Sequence, residues 1–172
     1  MLEFRIRDAV QDDFFEIKRL NDKFVHFTSP MDLARIQQLD ILSTYHRVIE
    51  QYDPQTSNSL IVGFLLAMAP EVAYESDNYQ WFEQRYQNFL YVDRVVIDSS
   101  VQGKGLGKDL YDDLFHFARE HSFAAICCEY NLVPANPTSA HFHQSFGFSQ
   151  VGRLGSEDSD KVVSMQMVKL PS

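Results

Sequence analysis

The sequence is short of cysteine and of long apolar runs, and each shortage excludes a class of protein. Its 172 residues include two cysteines, the neighbours Cys127 and Cys128. Because consecutive strand side chains point to opposite faces, this pair predicts neither a disulfide nor a metal site, but two small buried residues in a reducing compartment. The longest apolar run, residues 60–70, is about half the roughly 20 residues that a membrane-spanning helix needs.

Basic residues are also scarce. The chain has 15 Lys and Arg against 24 Asp and Glu, which gives a formal net charge of −9. An acidic chain repels phosphate backbones, so nucleic-acid binding is not expected, whereas a cationic amine would be attracted. The first residues, Met-Leu-Glu-Phe-Arg-Ile-Arg, lack the apolar core of a signal peptide, so we expect a cytoplasmic protein without membrane contact. The length predicts one domain over residues 1–172.

Hydrophobic periodicity predicts an alternation of strands and helices. Strands are predicted near residues 4–7, 45–51, 60–69, 89–98, 123–130, 148–154 and 162–170. Helices are predicted near residues 11–27, from Pro30 to 41, 107–121 and 137–146, with a short one within 74–88. Turns are expected at 52–59 and 155–161. This order predicts an α/β (α+β) fold with antiparallel strands first and a parallel pair in the middle.

The most informative segment is a glycine-rich turn between a predicted strand and the clearest predicted helix. It reads Gln102-Gly-Lys-Gly-Leu-Gly-Lys108. Such a turn aims several backbone N–H groups at one point, and the helix N-terminus adds roughly half a positive charge. Glycines let the backbone approach an anion closely, and the two lysines add charge. The expected ligand is a phosphate or pyrophosphate.

Two common phosphate loops do not fit this segment. A P-loop ending in Gly107-Lys108 would need glycine at position 102 and Ser or Thr at 109, where the chain has Gln102 and Asp109. A dinucleotide fingerprint starting at Gly103 would need glycine in place of Lys108, and it usually follows the first strand.

Together with a second segment, the loop resembles a known family. Gln102-x-x-Gly105-x-Gly107 is similar to the Q/R-x-x-G-x-G/A acyl-CoA pyrophosphate loop of the GNAT (Gcn5-related) N-acetyltransferases. The segment from Asn136 to Phe148 resembles the family's N-x-x-A-x-x-x-Y-x-x-x-G-F motif, in which the Asn, the Gly-Phe and their separation agree. The resemblance covers nearly the whole chain. It implies a mostly antiparallel sheet of six to seven strands with a central, splayed parallel pair and flanking helices.

The resemblance also implies that acetyl-CoA is the cofactor and indicates where it would bind. Backbone groups of Val95, Val96 and Ile97 would hold the pantetheine arm and the acetyl carbonyl. The pyrophosphate would lie on Gln102, Gly103, Lys104, Gly105, Leu106, Gly107 and Lys108. Asn136 would approach the cofactor arm, serve as the N-cap of its helix, or do both.

Three residues are candidates for proton transfer. His143 stands where the family often has a Tyr that protonates the leaving CoA thiolate. It is either that general acid or a side chain packed beside Phe142 and Phe146. Glu129, at the end of its predicted strand, loosely matches a proposed base of the ribosomal-protein alanine acetyltransferases. Asp93 is the second candidate base, and an ion pair with a nearby Arg is its alternative role.

The resemblance places the acceptor side at residues 21–31 and 74–86. The aromatic side chains Tyr79, Trp81 and Phe82 either bind a cationic acceptor or belong to the core or to a homodimer interface. Three other histidines show no metal-ligand spacing and are expected at the surface or in packing: His26, His46 and His116.

The expected function is acetyl-CoA-dependent N-acetyl transfer to a primary amine of a small molecule or peptide, by direct attack and without a metal. The alternative is a GNAT-like acyl-CoA binding or sensing module with little or no transferase activity.

Overall fold

The computed structural model describes residues 1–155 and 160–171. Its strands are β1 (Glu3–Asp8), β2 (Tyr45–Asp53), β3 (Asn58–Met68), β4 (Leu90–Ile97), β5 (Ala125–Val133), β6 (Ser149–Leu154) and β7 (Val162–Lys169). Its α-helices are α1 (Phe14–Lys23), α2 (Leu33–Leu42), α3 (Asp77–Glu83), α4 (Leu106–Glu120) and α5 (Pro137–Ser145). The element order is the predicted one. The predicted turn at 155–161 lies mostly outside the described residues.

The strands form one sheet in the order β1-β2-β3-β4-β5-β7-β6. The pairs β1–β2, β2–β3, β5–β7 and β6–β7 are antiparallel. The strands β4 and β5 are parallel, with Leu90 paired to Ile126 and Tyr91 paired to Cys127. The predicted fold class, a mixed and mostly antiparallel sheet with a central parallel pair, is confirmed.

Two helix ends differ from the prediction. The first helix ends at Lys23, and residues 24–27 form turns, which leave Phe27 exposed although it continues the apolar stripe. The prediction that Pro30 opens the second helix is wrong. That helix begins at Leu33, because the Asp32 carboxylate accepts the Arg35 N–H at 2.7 Å and caps it.

Contacts divide the chain into two compact units, each made of two separate segments. The first unit comprises Met1–Met68 and Asp93–His116, and the second comprises Ala69–Val92 and Phe117–Ser172. The single domain expected from the length stays a prediction.

The core of the first unit combines α1, β2, β3 and part of α4. Helix α1 contacts β3 and α2 through its apolar face. The Tyr45 hydroxyl on β2 donates to the Asp113 carboxylate on α4 at 2.7 Å. His46 is buried between the rings of Phe14 and Phe64, with Nδ1 2.7 Å from the Asp40 carboxylate, so its role is packing rather than surface exposure.

The core of the second unit is aromatic. The rings of Tyr79 and Phe82 on α3 contact those of Phe89 and Tyr91, with centroids 5.6–6.3 Å apart. Two of the aromatic residues predicted near the acceptor therefore belong to the core. The third, Trp81, packs against the backbone of Gly152. The Arg85 guanidinium lies over its ring, 4.2 Å from the centroid, so the cation that contacts Trp81 is Arg85 of the same chain.

The two cysteines are consecutive residues of β5 in the second unit. Cys127 and Cys128 are free thiols with exposures of 0% and 2%. Burial raises the pKa of both thiols well above the ordinary value. The expectation of two small buried residues is confirmed.

Candidate active site

The glycine-rich loop opens α4 in the first unit. Strand β4 ends at Ile97, a 3-10 turn covers Ser99–Val101, and α4 begins at Leu106. Gly103 and Gly105 have φ angles of +79° and +80°, and a Cβ atom at either position would meet nothing within 4 Å. The left-handed backbone requires glycine here, and the space in front of the loop is open.

The polar groups around this loop are suited to an anion. The first-turn N–H groups of α4 point along the helix axis, as at any helix start. The Lys104 ammonium lies 5.5 Å from the Phe4 ring centroid. Lys108 pairs with Asp112 one turn further along α4, and this hydrogen bond raises the pKa of Lys108. The Gln102 amide donates to the Ile97 carbonyl at 3.4 Å.

The strand before the loop approaches its neighbour closely. A Cβ atom on Gly63 of β3 would lie 3.1 Å from the Val96 carbonyl oxygen, so glycine allows this approach. Val96 is buried, whereas Val95 and Ile97 are partly exposed. All three residues predicted to face the pantetheine arm lie on the segment that leads into the glycine loop.

Asp93 on β4 forms the ion pair that was the alternative to a base role. Its carboxylate accepts from Arg94 Nε at 2.7 Å, and the two side chains are 5% and 7% exposed. The same guanidinium donates to the Asn21 side chain at 3.1 Å and to the Ser29 carbonyl at 3.0 Å. Arg94 thereby ties β4 to α1 and the segment after it.

Glu129 lies in the interior of β5, which continues to Val133, and not at the strand end that was expected. Its Oε1 accepts from the Asn78 amide on α3 at 2.9 Å and from the Tyr91 hydroxyl on β4 at 3.1 Å. These two donors hold the carboxylate in one orientation. Sequence reasoning did not identify either donor.

Asn136 caps the N-terminus of α5, and His143 lies within that helix. The Asn136 side chain accepts from the Ser139 N–H at 3.1 Å, and Pro137 follows it, so its predicted N-cap role is confirmed. His143 is buried, with its ring centroid 5.4 Å from that of Phe142 and 5.3 Å from that of Phe148.

The protonation of His143 follows from its contacts. Its Nδ1 is 2.8 Å from the Ser139 carbonyl oxygen, which can only accept, so Nδ1 carries the proton. Burial lowers the pKa of His143 below the ordinary 6.5, which favours the neutral imidazole. In that state Nε2 carries a lone pair and no proton to donate.

The predicted site residues divide between the two units. Asp93, Val95–Ile97 and the loop Gln102–Lys108 belong to the first, and Glu129, Asn136 and His143 belong to the second. A surface hollow of about 300 Å³ beside the β2–β3 turn is lined by none of them. Within residues 1–155 and 160–171, no cluster of His, Cys, Asp or Glu side chains could hold a metal ion. In the same part of the chain, no helix is long and apolar enough to cross a membrane.

Comparison with known proteins identifies the family of the chain. The model of the acetyltransferase (GNAT) family matches residues 8–148, most of the chain. The chain belongs to the GNAT family. Acetyl-CoA-dependent N-acetyl transfer is the general activity of GNAT proteins. The sequence has no match among curated proteins.

Solved GNAT structures share the fold. Ard1 from Thermoplasma volcanium has a TM-score of 0.76 and 16% identity, with 98% of this chain and 99% of that one covered. The ribosomal-protein-S18-alanine N-acetyltransferase from Escherichia coli has a TM-score of 0.67 and 11% identity, covering 97% and 94%. The protein yncA from Salmonella typhimurium, solved with its cofactor acetyl-CoA, has a TM-score of 0.67 and 18% identity, covering 99% and 95%. At these identities the likeness shows the fold alone.

Proposed function

We propose that this GNAT protein is an acetyl-CoA-dependent N-acetyltransferase that acetylates a primary amine by direct attack. The observation that carries the proposal is the loop at the start of α4, where Gly103 and Gly105 keep left-handed backbone and open space in front of it. That arrangement is suited to a pyrophosphate, and the family match makes acetyl-CoA the ligand that contains it.

The residues of the first unit fit a cofactor-binding role. Loop residues Gln102–Lys108 would bind the pyrophosphate, chiefly through N–H groups, because Lys108 shares its charge with Asp112. Backbone groups of Val95, Val96 and Ile97 would orient the pantetheine arm. By the family resemblance, Asn136 would contact the cofactor arm in addition to capping α5. Acetyl-CoA, when bound, supplies an acetyl thioester that an amine can attack.

Glu129 is the proposed general base. Its carboxylate would take a proton from the attacking amine as the new C–N bond forms and the C–S bond breaks, which releases CoA as a thiolate. The Tyr91 and Asn78 donors keep the carboxylate oriented for that transfer. Asp93 is the weaker candidate because its carboxylate is paired with Arg94.

His143 is proposed as a packing residue rather than the general acid. The variant His143→Phe should keep kcat within about threefold of wild type, whereas loss of a general acid would lower it about 10²–10⁴-fold. The reason is the neutral, Nδ1-protonated ring, whose Nε2 has no proton to donate. Steady-state kinetics with saturating acetyl-CoA measure the difference.

The same variant has a stability readout that checks the protonation state. Since the pKa of His143 is lower in the folded protein than in the unfolded chain, the unfolded chain binds more protons below about pH 6.5. The melting temperature should therefore fall as the pH drops below that value, and His143→Phe should reduce this fall. A kcat lowered a hundredfold would instead assign His143 to catalysis.

The first experiment on the function is a thermal shift with acetyl-CoA, CoA and NADH. A ligand present at 100 times its Kd adds about 2.7 kcal/mol of stability. We expect both CoA species to raise the melting temperature and NADH to leave it unchanged. No shift with either CoA species would contradict the cofactor assignment and the enzyme assignment with it.

The alternative function is a GNAT-like acyl-CoA binding or sensing module. One observation favours it: His143 stands in place of the family's Tyr, and its Nδ1 proton is engaged by Ser139. Both functions predict CoA binding, so release of CoA in the presence of amines separates them. Small-molecule amines and peptide N-termini should both be screened, since the E. coli relative acts on an alanine of a ribosomal protein.

A further inference from the structure

We propose that Asp98 is a positioning residue. It fixes the backbone just before the cofactor loop, Gln102–Lys108, so that the N–H groups of the loop are already oriented when a pyrophosphate binds. The inference rests on the proposed function, since it assumes that the loop binds acetyl-CoA. Asp98 lies before the predicted loop, and no role in cofactor binding or catalysis has been assigned to it above.

The backbone of Asp98 joins the end of β4 to the loop. Its N–H donates to the Val62 carbonyl of β3 at 2.8 Å, and its carbonyl accepts from the Val101 N–H at 3.1 Å. Its carboxylate also accepts from the Ser100 N–H at 2.9 Å, which caps the 3-10 turn. These three hydrogen bonds fix the turn that immediately precedes Gln102.

The side chain of Asp98 ties the same turn to α1. Its two oxygens accept from Lys23 Nζ at 2.9 Å and from Arg19 Nη1 at 3.3 Å. The carboxylate is 6% exposed, and Arg19 also donates to the Ile61 carbonyl at 3.1 Å. Charge-assisted bonds to a buried carboxylate fix geometry more firmly than neutral ones.

The charge state of Asp98 is well defined. Burial would raise its pKa, but hydrogen bonds from Ser100, Lys23 and Arg19 outweigh that effect and hold the pKa well below its ordinary value. The carboxylate is therefore ionised at neutral pH. An ionised carboxylate four residues before Gln102 would repel a pyrophosphate if its charge were not offset by the two cations of α1.

Because of this charge arrangement, a positioning role and electrostatics alone predict opposite changes of the acetyl-CoA Kd in the Asp98→Asn variant. Asp98→Asn keeps an oxygen that can accept from Ser100 but removes a negative charge beside an anion site. Electrostatics alone predicts tighter binding of acetyl-CoA. Positioning predicts weaker binding, since the tie to α1 is lost and the loop must be ordered at the moment of binding.

The experiment measures the acetyl-CoA Kd by titration calorimetry, and kcat and both KM values, for wild type, Asp98→Asn, Lys23→Gln and the double variant. Asp22→Asn is the matched control, because Asp22 pairs with Lys18 on the exposed side of the same helix. Melting curves confirm that each variant folds. The Lys23→Gln variant keeps Asp98 and breaks the same ion pair from α1. Electrostatics also predicts weaker binding in this variant, so its decisive outcome is an unchanged Kd, which overturns the proposal.

We expect Asp98→Asn to raise the acetyl-CoA Kd and KM about tenfold, while kcat at saturating acetyl-CoA and the amine KM stay within about twofold. Lys23→Gln should act in the same direction, and the double variant should add little to Asp98→Asn, because both changes break one tie. An unchanged or lower Kd in Asp98→Asn, or in Lys23→Gln where that variant alone folds, overturns the proposal. If wild type itself does not bind acetyl-CoA, the proposed function fails first.

Discussion

Replacing Glu129 with glutamine should lower kcat by about 10²–10³-fold, because the general base is lost while the local structure is kept. Glutamine has nearly the size of glutamate and retains an oxygen that can accept from Asn78 and Tyr91, as the carboxylate does now. The acetyl-CoA Kd should not change, since the proposed cofactor loop lies elsewhere in the chain.

This prediction is measured by steady-state kinetics of CoA release at one fixed pH, with Kd determined separately by calorimetry. Glu120→Gln, at the exposed end of α4, is the control for removing a carboxylate. A Glu129→Gln enzyme within about threefold of wild type would move the base role to another group.

The second large effect concerns the cofactor loop. Gly105→Ala should raise the acetyl-CoA Kd about 100-fold, because the added methyl group projects into the open space where the pyrophosphate would approach. The left-handed conformation, with φ of +80°, should also cost about 1–2 kcal/mol of folding stability. Calorimetric titration and thermal melts give the two quantities separately.

Gly147→Ala is the matched control for backbone strain. Gly147 has φ of +84°, and its nearest neighbour to a new Cβ would be Val168 at 3.8 Å, so the strain is similar and no steric conflict is added. Its acetyl-CoA Kd should stay close to wild type. Equal changes of Kd in Gly105→Ala and Gly147→Ala would show that strain, and not obstruction of a ligand, explains the loss.

Local signals in the sequence were sufficient for most of the fold and for the loop. The N-cap at Asn136 and the glycine-rich turn around Gly103 and Gly105 were predicted because caps and tight turns depend on a few neighbouring residues. The start of α2 was not predicted correctly. Pro30 and Asp32 are both local signals for a helix start, and in the structure Asp32 is the N-cap.

The missed features depend on partners far along the chain. Strand β5 extends beyond Glu129 because Tyr130 and Asn131 pair with Ser164 and Val163 of β7. Tyr91 and Asn78 reach Glu129 across 38 and 51 residues, and Lys23 reaches Asp98 across 75. Such contacts follow from strand order and register, which a single sequence without its structure does not specify.

The burial of the adjacent cysteines has a practical consequence for enzymology. Disulfide exchange requires a thiolate that the reagent can reach, and Cys127 and Cys128 offer neither accessibility nor a low pKa. A chromogenic disulfide added to a reaction would therefore react with the liberated CoA thiol alone. Because the folded protein does not react with the reagent, turnover can be followed continuously. The native sequence can be used for this assay, and no cysteine needs to be replaced.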